Sequence, residues 1–410
     1  LQQLAERVAA VAPRIAALRD DQRVAALEQA AASLRERAAS IMAANEIDLE
    51  RASRDQITPT ALDRLRLDAA RIESMAQGLE TVAALEDPVG VVLEHRVLDN
   101  GLDVSRVQAP LGVVGVIYEN RPNVTSDVAG LCVRSGNVAF LRGSSGALES
   151  NRAIVAALQR GFEEAGIPKD AVVLLEETSH EAAIAFMKLD QVLDVLIPRG
   201  GPRLIASMKE HATVPIVLDG DGNCHDYVDV DADLDMAIQI IVNAKTQRPG
   251  VCNAMESLIL HDAVAQEVLD RLESEMGEVR LLGDIRAQDL SRRVEPASDD
   301  DFSTEFLDLV STVCVVDSVD EAIEHIARHG SGHSEAIVTR DHTVAERFLA
   351  RVDAAAVVWN ASTRFVDGSE LGLGSEVGIS TQKLHARGPM GLDALMSVKW
   401  IIRGEGQVRT

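Results

Sequence analysis

The 410-residue sequence predicts an α/β protein with two parallel-sheet domains, a helical lead-in and a small β arm, and three observations carry that expectation. Two successive series of short apolar runs alternate with amphipathic segments, the pattern of strands buried on both faces and joined by crossover helices. A hydrophobic content of 46% over this length suffices for more than one core. Between the lead-in and the first series lies a β-branched stretch around Asn100-Gly101, a dipeptide suited to the positive φ values of a two-residue hairpin turn.

Taken in order, residues 1 to about 85 place apolar side chains at helical spacing (Val8, Val11, Ile15, Leu18; Ala32, Leu34, Ala38, Ile41) among Ala, Leu, Arg and Glu, which predicts helices. Residues 89–107 read as a protruding hairpin. From Gly112 the first α/β series predicts strands over 113–118, 138–141, 171–175 and 195–198, with helices over 150–165 and 181–188. The second begins near Val228, with helices over 234–244, 264–276 and 319–329 and strands over 257–260, 313–316 and 336–339. The tail, 397–408, is β-like again. It is expected to pair with the hairpin of a neighbouring subunit, because an isolated hairpin is marginally stable.

Lys+Arg 40 against Asp+Glu 65 gives a net charge of -25, a field that repels nucleic acid and anionic membranes, so neither is an expected partner. An anionic substrate would then need a local cluster of cations. No run approaches the roughly 18 to 20 apolar residues of a membrane span, and the chain is expected to be soluble and cytoplasmic. Cys132, Cys224, Cys252 and Cys314 form no C-x-x-C pair, which argues against a disulfide framework or zinc site. His325, His329 and His333 recur every four residues. Gly330 and Gly332 break that helix, so they read as capping and packing residues and no metal is expected.

The sharpest local feature is the run Asn243-Ala244-Lys245-Thr246-Gln247-Arg248-Pro249-Gly250-Val251-Cys252-Asn253, a helix ended by Pro-Gly with a cysteine close behind. Lys245 and Arg248 would lower the pKa of a neighbouring thiol. On these residues alone Cys252 is either a small buried hydrophobe or a nucleophile. Cys132 and Cys314 read as core, and Cys224 sits in an uncharged turn.

Longer motifs narrow the choice. Pro110 to Ile117, then Asn120-Arg121-Pro122, Gly136-Asn137-Val138, Arg142-Gly143-Ser144, the Cys252 loop and Val357-Val358-Trp359-Asn360 together resemble the aldehyde dehydrogenase superfamily from end to end. Tyr118 to Thr125, Ile197 to Gly201, Asn243 to Pro249, the HIARHGSGHSEAI segment, Asn360 to Phe365 and Ser380 to Gly391 are similar to its branch that reduces γ-glutamyl phosphate to glutamate 5-semialdehyde, the second step of proline biosynthesis.

The resemblance implies an aldehyde dehydrogenase-like fold: residues 1–88 and 111–226 as the NADP-binding domain with its lead-in, 227–380 as the catalytic domain, and 89–110 with 381–410 as a β oligomerisation segment. It implies that Cys252 attacks the acyl phosphate, expels phosphate and forms a thioester, which NADPH reduces. Asn120 aligns with the oxyanion-hole Asn, helped by the Cys252 N–H. The stretch 217–223 lacks the Glu with which hydrolytic members activate water, which fits a reductase; Asp219 near that position reads as a polar turn. For the cofactor, Arg142, Ser144 and Ser145 fall at the adenine ribose, where Arg in place of Lys and Ser in place of a diol-binding Glu favour NADPH. Gly200 and Gly201 would meet the pyrophosphate at a helix N-terminus, and Glu305 the nicotinamide ribose. Gly220-Asp221-Gly222 and Gly372-Leu373-Gly374 lack a strand–turn–helix setting and are discounted.

The cations an anionic substrate demands are Arg121, Lys245, Arg248 and Arg364; Arg121 and Arg248 are expected on the phosphate, and Arg364 or the Ser362 and Thr363 hydroxyls on the α-carboxylate. A homodimer or homotetramer is expected, with glutamate 5-kinase as a candidate partner. Two other readings stay open: a semialdehyde dehydrogenase of the same fold acting on another substrate, and an inactive binding partner of the kinase.

Overall fold

The computed structural model describes residues 1–55, 57–218 and 220–409. The chain forms two compact units: Leu1–Leu218 with Gly372–Gly378 and Met390–Thr410, and Asp219–Leu371 with Ile379–Pro389.

In the first unit the lead-in is five helices, Gln2–Ala16, Asp20–Glu36, Ala38–Arg54, Pro59–Leu65 and Ala69–Ala83. Val8, Val11 and Ile15 are buried as a stripe. In the second helix the buried face runs through Ala30, Ala31 and Leu34 and leaves Ala32 exposed, so the expected register is off there. Two fully buried polar residues pin the third helix. Asn45 donates to the Leu65 carbonyl at 2.9 Å and the Ser150 hydroxyl at 3.0 Å. Asp48 accepts from the Ser150 N–H at 2.8 Å and its hydroxyl at 2.7 Å, at the N-terminus of the Leu148–Glu164 helix, where the helix dipole favours a carboxylate.

The unit's parallel four-stranded sheet is ordered Val172–Leu174, Val138–Gly143, Val113–Tyr118, Val195–Arg199, and of the lead-in helices Gln2–Ala16 packs against its strands. The sequence pattern misses the helix Asn123–Arg134, because ten of its twelve residues are buried and it shows no polar face. A hairpin of Val92–Val97 and Asp103–Pro110 forms, but only Gly101 of the expected pair has positive φ, at 83°. Leu98 donates to the Leu102 carbonyl and accepts from the Gly101 N–H, both at 2.8 Å, which makes a longer loop than the expected two-residue turn. The tail also departs from expectation: Met396–Arg403 pairs antiparallel with Asp103–Pro110 of its own chain, giving the hairpin its third strand without a neighbour.

The second unit holds a seven-stranded, wholly parallel sheet ordered Val294–Pro296, Arg280–Gly283, Val310–Val316, Met255–His261, Cys224–Val228, Ser334–Val338, Ala356–Trp359. Ile241 and Val268, from helices Leu234–Thr246 and Asp262–Glu275, pack with Leu258 and Val313 in one core. Ile323 and Phe348, from helices Val319–His329 and His342–Arg351, pack with Ile259 and Ile337 in another. The strand Cys224–Val228 escapes the sequence pattern because it reads CHDYV, with buried His225 and Asp226; Cys224, expected in a turn, begins it. The His325 and His329 rings pack on each other and on Phe302, and burial lowers the His325 pKa to about 3. Among the described residues no helix is long and apolar enough to cross a membrane.

Candidate active site

In the second unit the helix Leu234–Thr246 stops short of Pro249, as the Pro-Gly break demands, and the loop to strand Met255–His261 carries Cys252. Both flanks of that loop are stapled together. Lys245, in the last turn of the helix, donates to Glu256 on the strand at 2.7 Å, with both side chains fully buried. This corrects one expectation: the Lys245 ammonium is held by a carboxylate inside the protein and does not form part of an open substrate surface. Burial, the dominant cause, lowers the Lys245 pKa and raises that of Glu256 to about 7.

Further contacts fix the loop itself. Thr363, fully buried, donates its hydroxyl to the Asn253 carbonyl at 2.8 Å, and the Asn253 amide donates to the Val366 carbonyl at 2.9 Å. The Ser362 oxygen caps the backbone N–H of Arg364 at 3.3 Å. The Thr363 proton is therefore spent inside the protein, which corrects its placement on the α-carboxylate, whereas Ser362 acts here only as an acceptor. The Cys224 thiol donates to the Cys252 carbonyl at 3.2 Å. Gly222 lies so close that a Cβ there would fall on the Cys252 backbone, and its N–H donates to Glu305 at 2.9 Å. Glu305 thus sits beside the cysteine loop. Asp219 lies outside the described residues.

The four thiols are not equivalent. Cys132 and Cys224 are buried, and burial pushes both pKa values up; burial first and Asp284 second push Cys314 up to about 12. Cys252 is partly exposed. Arg248 is exposed on the same loop. Arg364 is half-buried and donates to the Gln247 side chain at 2.9 Å; burial lowers its pKa, Asp367 opposes this, and the charges of Arg248 and Cys252 act on it.

In the first unit the predicted cofactor residues follow the carboxyl ends of adjacent parallel strands, where open α/β sheets bind ligands. Ser144 and Ser145 follow Val138–Gly143, and Gly200 and Gly201 follow Val195–Arg199; the strand between, Val113–Tyr118, is followed by Glu119, which is not among the predicted residues, and by Asn120, predicted for the oxyanion. Asn120 adopts φ 41°, in the left-handed region that Asn tolerates, and its side-chain oxygen accepts the Ser144 hydroxyl at 2.7 Å. Arg121 follows it, half-buried. Gly201 caps the helix Pro202–His211 and donates its N–H to Glu119 at 3.1 Å; a Cβ at Gly200 would crowd that carboxylate. A polar cavity of about 360 Å³ opens beside these residues, lined by Asn120, Ser144, Ser145, Arg51 and Arg203 among others. The polar cavity fits the ribose of a dinucleotide, whereas at the helix N-terminus the Gly201 N–H is held by the Glu119 carboxylate, which a phosphate there would have to displace. Arg142 donates from Nη2 to the carbonyls of Thr178 at 2.6 Å and Ser179 at 3.1 Å.

Sequence reasoning did not single out Glu119, Arg51, Arg203, Cys224 or Asn253. Glu119 and Asn253 lay inside quoted motifs. Arg51 and Arg203 carried no local signal, since each is one Arg among many on helices.

The aldehyde dehydrogenase family model matches residues 2–292. A gamma-glutamyl phosphate reductase of Heliobacterium modesticaldum is 52% identical over 386 residues, 94% of this chain and 93% of that one. One from Halalkalibacterium halodurans is 50% identical over 399 residues, 97% and 96% of the two chains. The crystal structure of gamma-glutamyl phosphate reductase from Thermotoga maritima superposes with a TM-score of 0.96 at 42% identity, covering 100% of this chain and 99% of that one. An acetylating aldehyde dehydrogenase from Geobacillus thermoglucosidasius, at 19% identity and a TM-score of 0.72 over 100% of this chain and 97% of its own, shares the fold.

Proposed function

The chain belongs to the aldehyde dehydrogenase family, and from that premise we infer that it reduces L-γ-glutamyl 5-phosphate to L-glutamate 5-semialdehyde with release of phosphate, in proline biosynthesis. The family uses a nicotinamide cofactor, which supplies the hydride; we propose NADPH as the form used here. Cys252 is the proposed nucleophile. Its sulfur attacks the acyl carbonyl, the C–O bond to phosphate breaks with its electron pair leaving on phosphate, and a γ-glutamyl thioester remains on Cys252. Asn120 is proposed to donate through its amide NH₂, the end that its bond to Ser144 leaves for an oxyanion.

Arg248 and Arg364 supply positive charge at the cysteine loop, and Arg121 is proposed as a further phosphate ligand. Gly200 and Gly201 are proposed at the pyrophosphate, and Glu305 at the nicotinamide ribose. The observation that carries the reading is the Cys252 loop: a partly exposed thiol on a backbone held by Thr363, Cys224 and the close approach of Gly222. Such a site holds its nucleophile in one geometry, which is what effective catalysis needs.

Homo-oligomerisation is proposed through the three-stranded sheet, which exposes Val92, Val97, Val398, Trp400 and Ile402. The reaction is tested in reverse with glutamate 5-semialdehyde, phosphate and NADP. Strict dependence on phosphate supports the reading, and equal rates without phosphate refute it in favour of an oxidising semialdehyde dehydrogenase.

A further inference from the structure

Arg142 is a poor seat for the extra phosphate that distinguishes NADPH. Its Nη2 is held by two loop carbonyls, those of Thr178 and Ser179, and its Nε is buried without a hydrogen-bond partner. The polar cavity beside Ser144 and Ser145 is lined by two other arginines. Arg51 reaches it from the last turn of the helix Ala38–Arg54, donating to the Ser145 carbonyl at 2.8 Å and lying 3.4 Å from the fully buried carboxylate of Asp48. Arg203 reaches it from the first turn of the helix Pro202–His211, directly after the Gly200-Gly201 pair.

We propose that Arg51 and Arg203, with the Ser144 and Ser145 hydroxyls, form the seat for the 2′-phosphate of NADPH, and that Arg142 positions the loop at Thr178 instead. The proposal rests on the NADPH reading above. A phosphate dianion in a chain of net charge -25 needs cations converging on it from rigid elements, and here one comes from each of two helices that flank the serines. Anchoring to Asp48 and to the Ser145 carbonyl fixes the Arg51 guanidinium against the turn that carries Ser145. Ordering it therefore costs little when the phosphate arrives. Two carboxylates share the lining. Glu119 is engaged by the Gly201 N–H, and Asp55, which caps the end of the Arg51 helix, is the group that opposes the phosphate.

The test titrates the full chain with adenosine 2′,5′-bisphosphate and, separately, with 5′-AMP, followed by calorimetry. The parent is expected to bind the bisphosphate about tenfold or more tightly than AMP, as expected for charge-assisted hydrogen bonds. Arg51→Lys and Arg203→Gln are each expected to lose about tenfold for the bisphosphate and to keep AMP affinity within about twofold. Arg142→Gln is expected to alter both ligands alike. Preference for the bisphosphate that survives in the Arg51→Lys/Arg203→Gln double variant, or that vanishes in Arg142→Gln alone, overturns the assignment. Loss of AMP binding in Asp55→Asn also overturns it, since the cavity would then be a diol site built on that acid. A parent that does not distinguish the two nucleotides refutes the NADPH reading itself, an outcome separate from the others.

Discussion

Breaking the buried Lys245–Glu256 pair is the perturbation whose consequence the structure specifies most fully. The two groups lie 2.7 Å apart with no solvent exposure, and Glu256 also accepts from the Leu307 N–H at 3.1 Å. Lys245→Met removes the cation and leaves a buried carboxylate unpaired, which costs about 3–5 kcal/mol. Glu256→Gln alone strands the ammonium and costs a similar amount, whereas Lys245→Met combined with Glu256→Gln removes both charges, keeps an acceptor for Leu307 and is expected to recover to within about 1–2 kcal/mol of the parent. Urea denaturation followed by circular dichroism gives the stabilities, and steady-state kinetics on the same samples give KM for the acyl phosphate. The single variants should also lose turnover, because the pair joins the two flanks of the Cys252 loop; the double variant should regain it with KM within about threefold of the parent. Two results would refute the reasoning. One is a Lys245→Met protein as stable as the parent. The other is a double variant with restored stability but KM raised tenfold, which would put the ammonium on the substrate.

Other outcomes follow from the same geometry. Gly222→Ala forces a Cβ onto the Cys252 backbone, so kcat should fall by at least about a hundredfold, a near-ångström misplacement of the nucleophile, with the circular dichroism spectrum unchanged. Thr363→Val keeps the shape but leaves the buried Asn253 carbonyl without its 2.8 Å donor, so urea denaturation should show a loss of about 1–3 kcal/mol. Asp226 is fully buried with both oxygens unpartnered, and burial, then the Glu335 carboxylate, raises its pKa from 3.8 to about 8. The folded state therefore holds a proton that the unfolded state releases, and stability falls by up to about 1.4 kcal/mol per pH unit as pH rises from 4 to 8. Asp226→Asn should flatten that slope in denaturation curves taken across the window; an unchanged slope would contradict it. Trp400→Glu, on the exposed face of the three-stranded sheet, should shift the chain to a smaller species in sedimentation analysis.

Much of the fold was legible because buried parallel strands are continuous apolar runs and their crossover helices have one polar face; the strand Val113–Tyr118 and the helix Val319–His329 have the bounds that pattern predicts. It failed where burial erased the contrast, as in Asn123–Arg134, and where buried polar groups interrupted a strand, as in Cys224–Val228. In the site, the Pro-Gly break and the cysteine after it could be read locally. The partners of Lys245 and Thr363 could not: Glu256 lies eleven residues on from Lys245, and the Asn253 carbonyl 110 residues from Thr363. Charge and hydroxyl content in a motif show which groups are present. Only tertiary structure shows that the Lys245 ammonium and the Thr363 hydroxyl are already engaged inside the protein.

The most direct test of the account is to mix the enzyme with glutamate 5-semialdehyde and NADP in the absence of phosphate, then to digest the quenched protein and map acylation by mass spectrometry. The account predicts a single-turnover burst of reduced nicotinamide and a γ-glutamyl group on the peptide containing Cys252, both absent from Cys252→Ala. A burst of the same size in Cys252→Ala, or acylation at Cys132, Cys224 or Cys314 instead, would contradict it.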